Sequence, residues 1–578
     1  MPGHTECLAH VADADRDTYL AGLAPGSSVD HRGTTFTQAL LAALLGACHD
    51  PTTGHPRLGA ARFGAATFEG VADFGAVTFD GDVDFGTATF KGDATFTAAT
   101  FEGGAGLRYA TFMTHARFGS ATFNRGVLFR SATFNGFANF RSATFKDTSS
   151  FRLATFKHHI TFAEATFERG SFQSTTFEDD ADFRSATFER GADFGSAIFE
   201  GDADFGSVTF ERAVNLGPLV CAERIVLSGA IFGRPVTLSF AARHLECRRT
   251  RWLSTAEIRL RYTTVDFAHA VFEYPLTIAA ETDPFPLPLL QPMAETLFAT
   301  APDASVRMAS LRGVDAAHLV LSDVDLSECL FTGTVHLDQV RLEGACSFAS
   351  VPSGRHWRGR RPVRFTQRRT LAEEHHWRAR QPAAVPGWNG AAAGAGHVGP
   401  LQLAPVYRAL RKAFEDGKHE PGAADFYYGE MEMRRHADDI PRSERGLLTA
   451  YWALSGYGLR ASRALGWLAA CMMVTIVLMM GFGLPQDDPK QRATATVPAG
   501  GGEVTFEIDK PDPRNPTGNR FTGKRFEKAL KVTLNSVVFR SSGQDLTTTG
   551  TYIEMTSRLT EPILLGLAIL AVRNRVKR

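Results

Sequence analysis

The sequence predicts a mainly β chain that builds a repetitive solenoid as far as Ser350. An α-helical linker follows, and then a hairpin of two membrane-crossing helices. Three observations lead there. Phe is in large excess, 45 against 10 Tyr and 6 Trp, and 28 of the 45 lie between Phe63 and Phe210. Of those 28, 27 keep one register, with steps that alternate five and six. Further on, residues 464–484 run for 21 positions without a charge, long enough as a helix to cross a bilayer core of roughly 30 Å.

Composition removes several function classes. The 62 Lys+Arg balance 62 Asp+Glu, and a pI near 7.3 does not suit a dedicated nucleic-acid binder. A mean hydropathy of −0.12 excludes a polytopic transporter, and 44% hydrophobic residues is too many for a disordered chain. Seven cysteines are scattered without a C-x-x-C pair, which fits a reducing compartment and offers no metal framework. Asp13, Asp15 and Asp17 stand where a secretory signal would need an apolar run, so none is expected.

The repeat reads directly in Ala66-Thr67-Phe68-Glu69-Gly70-Val71 followed by Ala72-Asp73-Phe74-Gly75-Ala76. Self-similarity at a fixed period decides the architecture before any local propensity does. The position two before each Phe is nearly always small, as at Ala66, Ala88, Ala110, Ala132 and Ala154, and the residue between is Thr or Asp. Small-polar-large places the small and large side chains on one face of a strand. A Gly, Ser or charged residue then supplies the turn. One unit cannot bury its own Phe, so units must stack. Upstream, residues 37–45 read as a short apolar helix that caps the open end of the first coil.

These residues resemble the pentapeptide-repeat family, whose unit is a small residue, a polar residue, Leu or Phe, and two polar residues. The resemblance implies a right-handed quadrilateral parallel β-helix with the small and large residues inward. This chain departs in carrying one extra residue in alternate units, read as a bulge or longer corner on two of four faces. A coil then runs from Phe68 to Phe90, two residues longer than four regular units. Phe68, Phe90, Phe112, Phe134 and Phe156 would form one internal ladder, and Phe79, Phe101, Phe123 and Phe145 another. Rings would sit roughly 4.8 Å apart, each worth a gross ~4–6 kcal/mol of burial before entropy is subtracted. At Phe167, Phe172 and Phe177 two five-residue steps adjoin, so one extra residue should be missing there.

The register weakens after Phe210, blurs through 240–262 and is broken by Pro284, Pro286, Pro288 and Pro292. It resumes as Leu311, Ala316, Leu321, Leu326, Phe331, Leu337, Leu342 and Phe348. The expected organisation is a helical cap (1–60), the solenoid (61–350) with an irregular stretch near 240–305, and a basic segment with a Gly/Ala linker (351–400). A helical hairpin with a juxtamembrane segment (401–462) and a two-span region (463–578) complete it. Between Arg62 and Arg212 there are 14 Lys/Arg against 20 Asp/Glu. The cations Arg108, Arg117, Arg125, Arg130, Arg141, Lys146, Arg152 and Lys157 gather in the middle of that stretch. Some pentapeptide-repeat proteins imitate duplex DNA with an acidic surface and bind topoisomerases, and this basic middle spoils such mimicry. His375-His376, in a segment with Arg360, Arg361, Arg368, Arg369 and Trp377, is not a metal pair, because adjacent helical residues diverge by about 100° and no ligand set accompanies them.

Val406, Leu410 and Phe414 carry one apolar helical stripe, residues 417–422 a turn, and Ala424, Phe426, Tyr427 and Met431 a second stripe. Arg442, Arg445, Arg460 and Arg463 precede the span, and Arg573, Arg575, Lys577 and Arg578 close the chain after a second span over 556–576. The positive-inside tendency then puts the solenoid and both termini in the cytoplasm of a two-span protein of the cell membrane. Between the spans lie a polar stretch (485–524) and an amphipathic helix through Phe526, Leu530, Leu534 and Val537–Val538.

Span, outer segment, short helix, loop and span are similar to the two-helix pore-loop channel module. Together with Tyr451-Trp452 and Ser455-Gly456-Tyr457-Gly458, the segment from 403 resembles the tail of bacterial pentapeptide-repeat proteins that carry it. By that resemblance 526–540 is the pore helix and Ser541, Ser542, Gly543, Gln544 and Asp545 the filter segment. Potassium filters use Thr-x-Gly-Tyr/Phe-Gly; here one Gly remains and Arg540 stands beside it, so potassium selectivity is not expected. No nucleophile elbow, phosphate loop or dinucleotide fingerprint is present, and no catalytic, cofactor or metal residue is expected. The expected function is a non-catalytic, membrane-anchored interaction scaffold whose partners are the lipid bilayer and another protein, with nucleic acid not expected. The alternatives are a channel-like protein or sensor, which would need about four subunits around an axis, and a topoisomerase-binding DNA mimic.

Overall fold

The computed structural model describes residues 6–576 apart from 213, 288–291, 302, 359–360, 364, 383, 392–395, 487–491, 496–499, 501–505 and 510–511. Pro288, Arg360, Lys577, Arg578 and parts of the Gly/Ala linker and the outer segment lie outside the described residues. The chain divides into two units, Met1–Val398 and Gly399–Arg578.

In the first unit, strands of two residues run from corner to corner: Thr67–Phe68, Ala72–Asp73, Thr78–Phe79 and Val83–Asp84. The fifth, Thr89–Phe90, pairs in parallel with the first. Four strands therefore close one coil, and the same residue type returns in register in the next, as in Thr100↔Thr122 and Ala94↔Ala116. About 13 such turns make a parallel β-solenoid.

Two kinds of corner alternate, which explains the five-six step. The five-residue step is a tight turn: Ala66 N–H donates to Phe63 O at 3.0 Å and Ala88 N–H to Phe85 O at 3.0 Å. Its second residue is left-handed, with φ between +53° and +59° at Ala65, Ala76, Thr87, Ala98, Tyr109 and Ser120. The preceding carboxylate braces it, for Gly75 N–H donates to Asp73 Oδ1 (2.9 Å) and Gly86 N–H to Asp84 Oδ1 (2.8 Å). The Asp-Phe-Gly triplets of the sequence are thus Asx-turns. The extra residue falls in the other, looser corner, such as 69–71, and is not a bulge within a strand. Left-handed backbone costs an L-residue about 1–2 kcal/mol, most where the side chain is β-branched. Thr87→Asn is therefore expected to stabilise the chain by about 1 kcal/mol, read as a higher urea midpoint at unchanged slope.

The shortened step falls where the spacing placed it. Phe145 pairs with Phe167 and Phe167 with Phe188, while register shifts follow in both strands, so one coil loses a residue between Phe167 and Phe172. The interior holds four aromatic ladders, two more than the sequence singled out. Phe68, Phe90, Phe112, Phe134 and Phe156 stack at 4.7 Å with interplanar angles of 2–14°. Phe79–Phe101–Phe123–Phe145 stack at 4.6–5.0 Å. Phe74–Phe96–Phe118–Phe140 and Phe129–Phe151–Phe172–Phe194 supply the other two. Neighbouring ladders meet edge to face, for example Phe118–Phe129 at 5.4 Å and 88°, the pair of geometries that ring quadrupoles favour.

Two expectations are corrected. Parallel pairing begins at Ser27–Asp30 and continues through Phe36, so residues 1–60 are not a separate helical cap. Helix α1 (Asp13–Ala21) precedes the first coil, and the apolar helix α2 (Gln38–Ala47), N-capped by Thr37, is inserted into it. The irregular stretch is also narrower than 240–305. Coils continue through 280 and tighten to the regular four-unit period, as Ile231↔Arg251 and Arg251↔Val271 show. Only 281–305 departs, because Leu276 next pairs with Leu319. That excursion is pinned back by Phe285, Met293 and Phe298 packing on Val220 and Ala241. Inside this contact Arg261 and Glu295 form a buried ion pair at 2.8 Å. An indole also enters the interior. Trp252 extends a Phe ladder at 4.1 Å from Phe232 because Thr250 Oγ1 accepts its Nε1–H at 2.9 Å.

The far end of the solenoid is closed by the segment read as merely basic. Helix α3 (Ala372–Ala379) inserts Glu373, 2% exposed, whose Oε1 accepts from Phe331 N–H (2.5 Å), Thr332 N–H (3.0 Å) and Thr332 Oγ1–H (3.1 Å). A carboxylate thus takes the place of a next strand on the open edge. Glu374 is held between Arg368 (2.5 Å) and Arg378 (2.6 Å), and buried His375 is hydrogen-bonded to Thr370 Oγ1 at 2.9 Å.

The second unit is mainly helical: α4 (Pro400–Asp416), α5 (Glu420–His436), α6 (Arg442–Ser455), α7 (Ala461–Leu478) with a π-turn to Gly483, α8 (Gly523–Val537) and α9 (Thr548–Val576), with one antiparallel strand pair, Arg492–Ala495 and Phe506–Asp509, between α7 and α8. Tyr407, not Val406, is the buried member of its turn on α4, and α5 begins inside the expected 417–422 turn.

Candidate functional site

The second unit encloses several carboxylates among its helices, Glu430, Glu432, Glu554 and Glu561. The α4–α5 hairpin closes over Gly429, where a Cβ would strike the Tyr407 ring. Gly429→Ala is expected to cost about 1–3 kcal/mol by forcing the helices apart, seen as a lower thermal midpoint of the full chain. On the other side of α5, Tyr457 is fully buried and donates its hydroxyl to Glu432 Oε2 at 3.0 Å, and Arg435 holds Oε1 at 2.8 Å. Burial, followed by the nearby Glu432 charge, pushes the Tyr457 phenol up, keeping it a donor. Trp452 donates to the Tyr428 hydroxyl at 3.0 Å, while Arg435 and Arg463 lie over its ring at 4.5 and 5.1 Å. The turn Gly456-Tyr457-Gly458 has three consecutive left-handed residues, which two glycines supply without strain. The Tyr451-Trp452 and Ser455–Gly458 motifs therefore build one knot against α5, immediately before α7.

Two helices are long and apolar enough to cross a membrane, Ala461–Gly483 with hydropathy 2.1 and Thr548–Arg573 with 1.4. Each is only 33% buried within the chain, and they pack on one another. Their outward residues are large and apolar: Trp467 (50% exposed), Met473 (61%), Met555 (62%) and Leu559 (65%). The second begins at Thr548, ahead of the expected start at Thr556.

Between them, α8 lays Ala529 and Val532 on Ile476, Met479 and Met480. Arg525 turns its guanidinium onto the end of the first long helix and donates to Met480 O (3.0 Å), Leu484 O (2.8 Å) and Pro485 O (2.8 Å). Carbonyls at a helix end lack a helical partner, so a cation is well placed there. Thr547 ties the start of α9 to the same turn, donating Oγ1–H to Phe482 O at 2.7 Å.

Ser541, Ser542, Gly543, Gln544 and Asp545 form the irregular segment after α8, with Ser541, Gly543 and Asp545 exposed. Ser542 N–H donates to Glu554 Oε1 (3.1 Å), which also accepts from Arg558 (3.1 Å), so the segment is fastened to α9. Arg540 is exposed beside it. Sequence reasoning missed Glu561. It is fully buried between the long helices, and Thr475 donates to its Oε1 at 2.9 Å. The signal was an acid embedded at the start of the last apolar run, next to Pro562. Among the described residues no three His, Cys, Asp or Glu converge as a metal site.

The first unit defines the class: a β-solenoid whose interior is filled by stacked rings and whose charged residues line the outside. The family model of pentapeptide repeats, in nine copies, matches residues 58–100, 85–133, 118–166 and 172–217, and the chain carries a pentapeptide-repeat array over that length. No curated protein and no solved structure matches it. The fold of this array fits a non-catalytic protein-interaction role.

Proposed function

We propose that the chain is a non-catalytic scaffold anchored in the cell membrane by two spans, with the solenoid and both termini on the cytoplasmic side. One observation carries this: two mutually packed helices leave most of their apolar surface uncovered, in the same chain as a solenoid whose large apolar side chains are nearly all enclosed. A soluble core helix would be enclosed, whereas a lipid-facing helix needs no cover. Cationic flanks at Arg442, Arg445, Arg460 and Arg463 support the orientation. Protein partners would meet the corners and faces of the solenoid, where every coil repeats its outward residues in register. Alkaline carbonate washing of native membranes is the test. The chain should stay with the bilayer, and its release into the supernatant overturns the anchor.

A second reading is favoured by the position of α8 between the two long helices, directly followed by Ser541–Asp545. In this reading several hairpins surround an axis and conduct ions through that segment. Purified oligomer in planar bilayers should then give unitary currents that Asp545→Asn alters. A monomer in detergent, or silent bilayers, ends it.

A further inference from the structure

Several cations of the repeat array are paired with acids one coil away. Lys91 pairs with Glu69 (2.8 Å), Arg117 with Asp93 (2.8 Å), Arg141 with Glu164 (2.5 Å), Arg169 with Asp147 (3.0 Å) and Arg190 with Glu168 (3.1 Å). Among those with no such pair, three stand in line. Strands Ala105–Gly106, Val127–Leu128 and Thr144–Ser150 lie in register, Gly106 against Leu128 and Leu128 against Ser150. Two residues beyond each comes an arginine: Arg108, Arg130 and Arg152. Their coils are locked together, since Tyr109 N–H donates to Arg130 O and Ser131 N–H to Arg152 O, both at 3.0 Å.

The three arginines stand in a column with a coil spacing of roughly 4.8 Å. All are exposed, and among the described residues none has an ion pair or side-chain hydrogen bond. Arg125 and Lys146, equally exposed and unpaired among the described residues, sit on the corner at the opposite edge of the same strands. Five guanidinium or ammonium groups thus border one face over three coils. Stacked like charges oppose folding, and this column stacks three cations with no acid paired to any of them among the described residues. Beside the arginines, Tyr109 is 58% exposed and Leu153 45% exposed. Arginine interleaved with tyrosine and an aliphatic side chain is the composition of a surface that rests among headgroups.

We propose that this face, centred on Arg108, Arg130 and Arg152, docks on the anionic phosphate headgroups of the bilayer that holds the chain's own spans. The inference rests on the membrane reading above. Tethering raises the effective concentration of the headgroups, so modest attraction per cation is sufficient. A duplex fits less well. The cationic strip is only three coils long, and Asp84 and Asp193 stand on the same face beyond it.

The test uses the full chain in nanodiscs of phosphatidylcholine, alone or with a third of the lipid replaced by phosphatidylglycerol. Phenylglyoxal modification of each arginine is followed by peptide mass spectrometry, with Arg62 as the reference. Modification of Arg108, Arg130 and Arg152 should slow about fivefold in anionic discs. The difference should vanish near 1 M salt, where the screening length is about 3 Å. Equal rates in both discs overturn the proposal, as does protection by added duplex DNA without protection by anionic lipid. A carbonate wash of the same preparations reports separately on the spans. If the chain is stripped, the anchor fails, and the same arginine rates measured on vesicles of the two compositions still decide the face.

Discussion

Replacing Phe112 by Ala should lower the stability of the solenoid by about 3–5 kcal/mol, the largest effect expected of any single core change. Phe112 is 1% exposed, stacked at 4.7 Å between Phe90 and Phe134, and set edge-on to Phe118 at 6.0 Å. Its removal leaves a ring-sized void with partners above and below, and neither can move without breaking its own parallel pairing. The coils around it cannot collapse, so the cavity term applies in full. Phe112→Leu should cost clearly less, because Leu107 already occupies a ladder position at 0% exposure. Phe112→Tyr should fall between, since its hydroxyl would be buried without an acceptor, at about 1–3 kcal/mol. Urea unfolding of the full chain in detergent, followed by far-ultraviolet circular dichroism, ranks the three. An Ala variant as stable as the Leu variant would show that the ladder is not close-packed.

Glu373→Ala is expected to open the far end of the solenoid. It strands two backbone N–H groups, of Phe331 and Thr332, and the Thr332 hydroxyl, at about 2–4 kcal/mol together. Glu373→Gln keeps a carbonyl acceptor for the same donors and removes a buried charge, so it should approach or exceed the parent. The pH dependence separates the two causes. Burial holds the Glu373 carboxyl above its ordinary range. Its folded form therefore keeps the proton longer than the unfolded chain does, and the stability this contributes is complete below the ordinary carboxyl range. It is lost as pH rises through the folded value. The advantage of Gln over Glu should grow with pH across that window and then level off. Proteolysis near 350–380, sampled across pH, reads it. An advantage that is flat with pH would assign the Gln effect to packing alone.

The solenoid was legible because one side chain repeats with a period no compact domain imposes. Small-Thr-Phe names its strand, its inward face and its neighbour one coil away. The missing residue between Phe167 and Phe172 was legible for the same reason, since a change of step is a change of corner. The excursion over 281–305 was partly legible from its prolines, but its anchoring by Arg261 and Glu295, distant from each other along the chain, was not. The coils at 240–262 were hidden because Ala, Cys, Trp and Ile mostly replace Phe there, and a parallel ladder needs only inward volume. Glu373 gave no local sign, because its partners Phe331 and Thr332 lie far upstream. Glu561 was visible as an acid in an apolar run, and only the packing of the two long helices showed it enclosed and bonded to Thr475.

The sequence by itself determined the repeat, the length of its coil, the inward rings and the two long apolar helices, because periodicity and unbroken hydropathy are local properties. Tertiary structure alone decided which cations pair with acids in the next coil and which stand apart at Arg108, Arg130 and Arg152. It alone also decided which carboxylates close an edge or lie enclosed. An ion pair or an edge cap joins residues that are neighbours only after the chain has wound. Winding places each residue beside its counterpart one coil on, a neighbour that local propensity does not register.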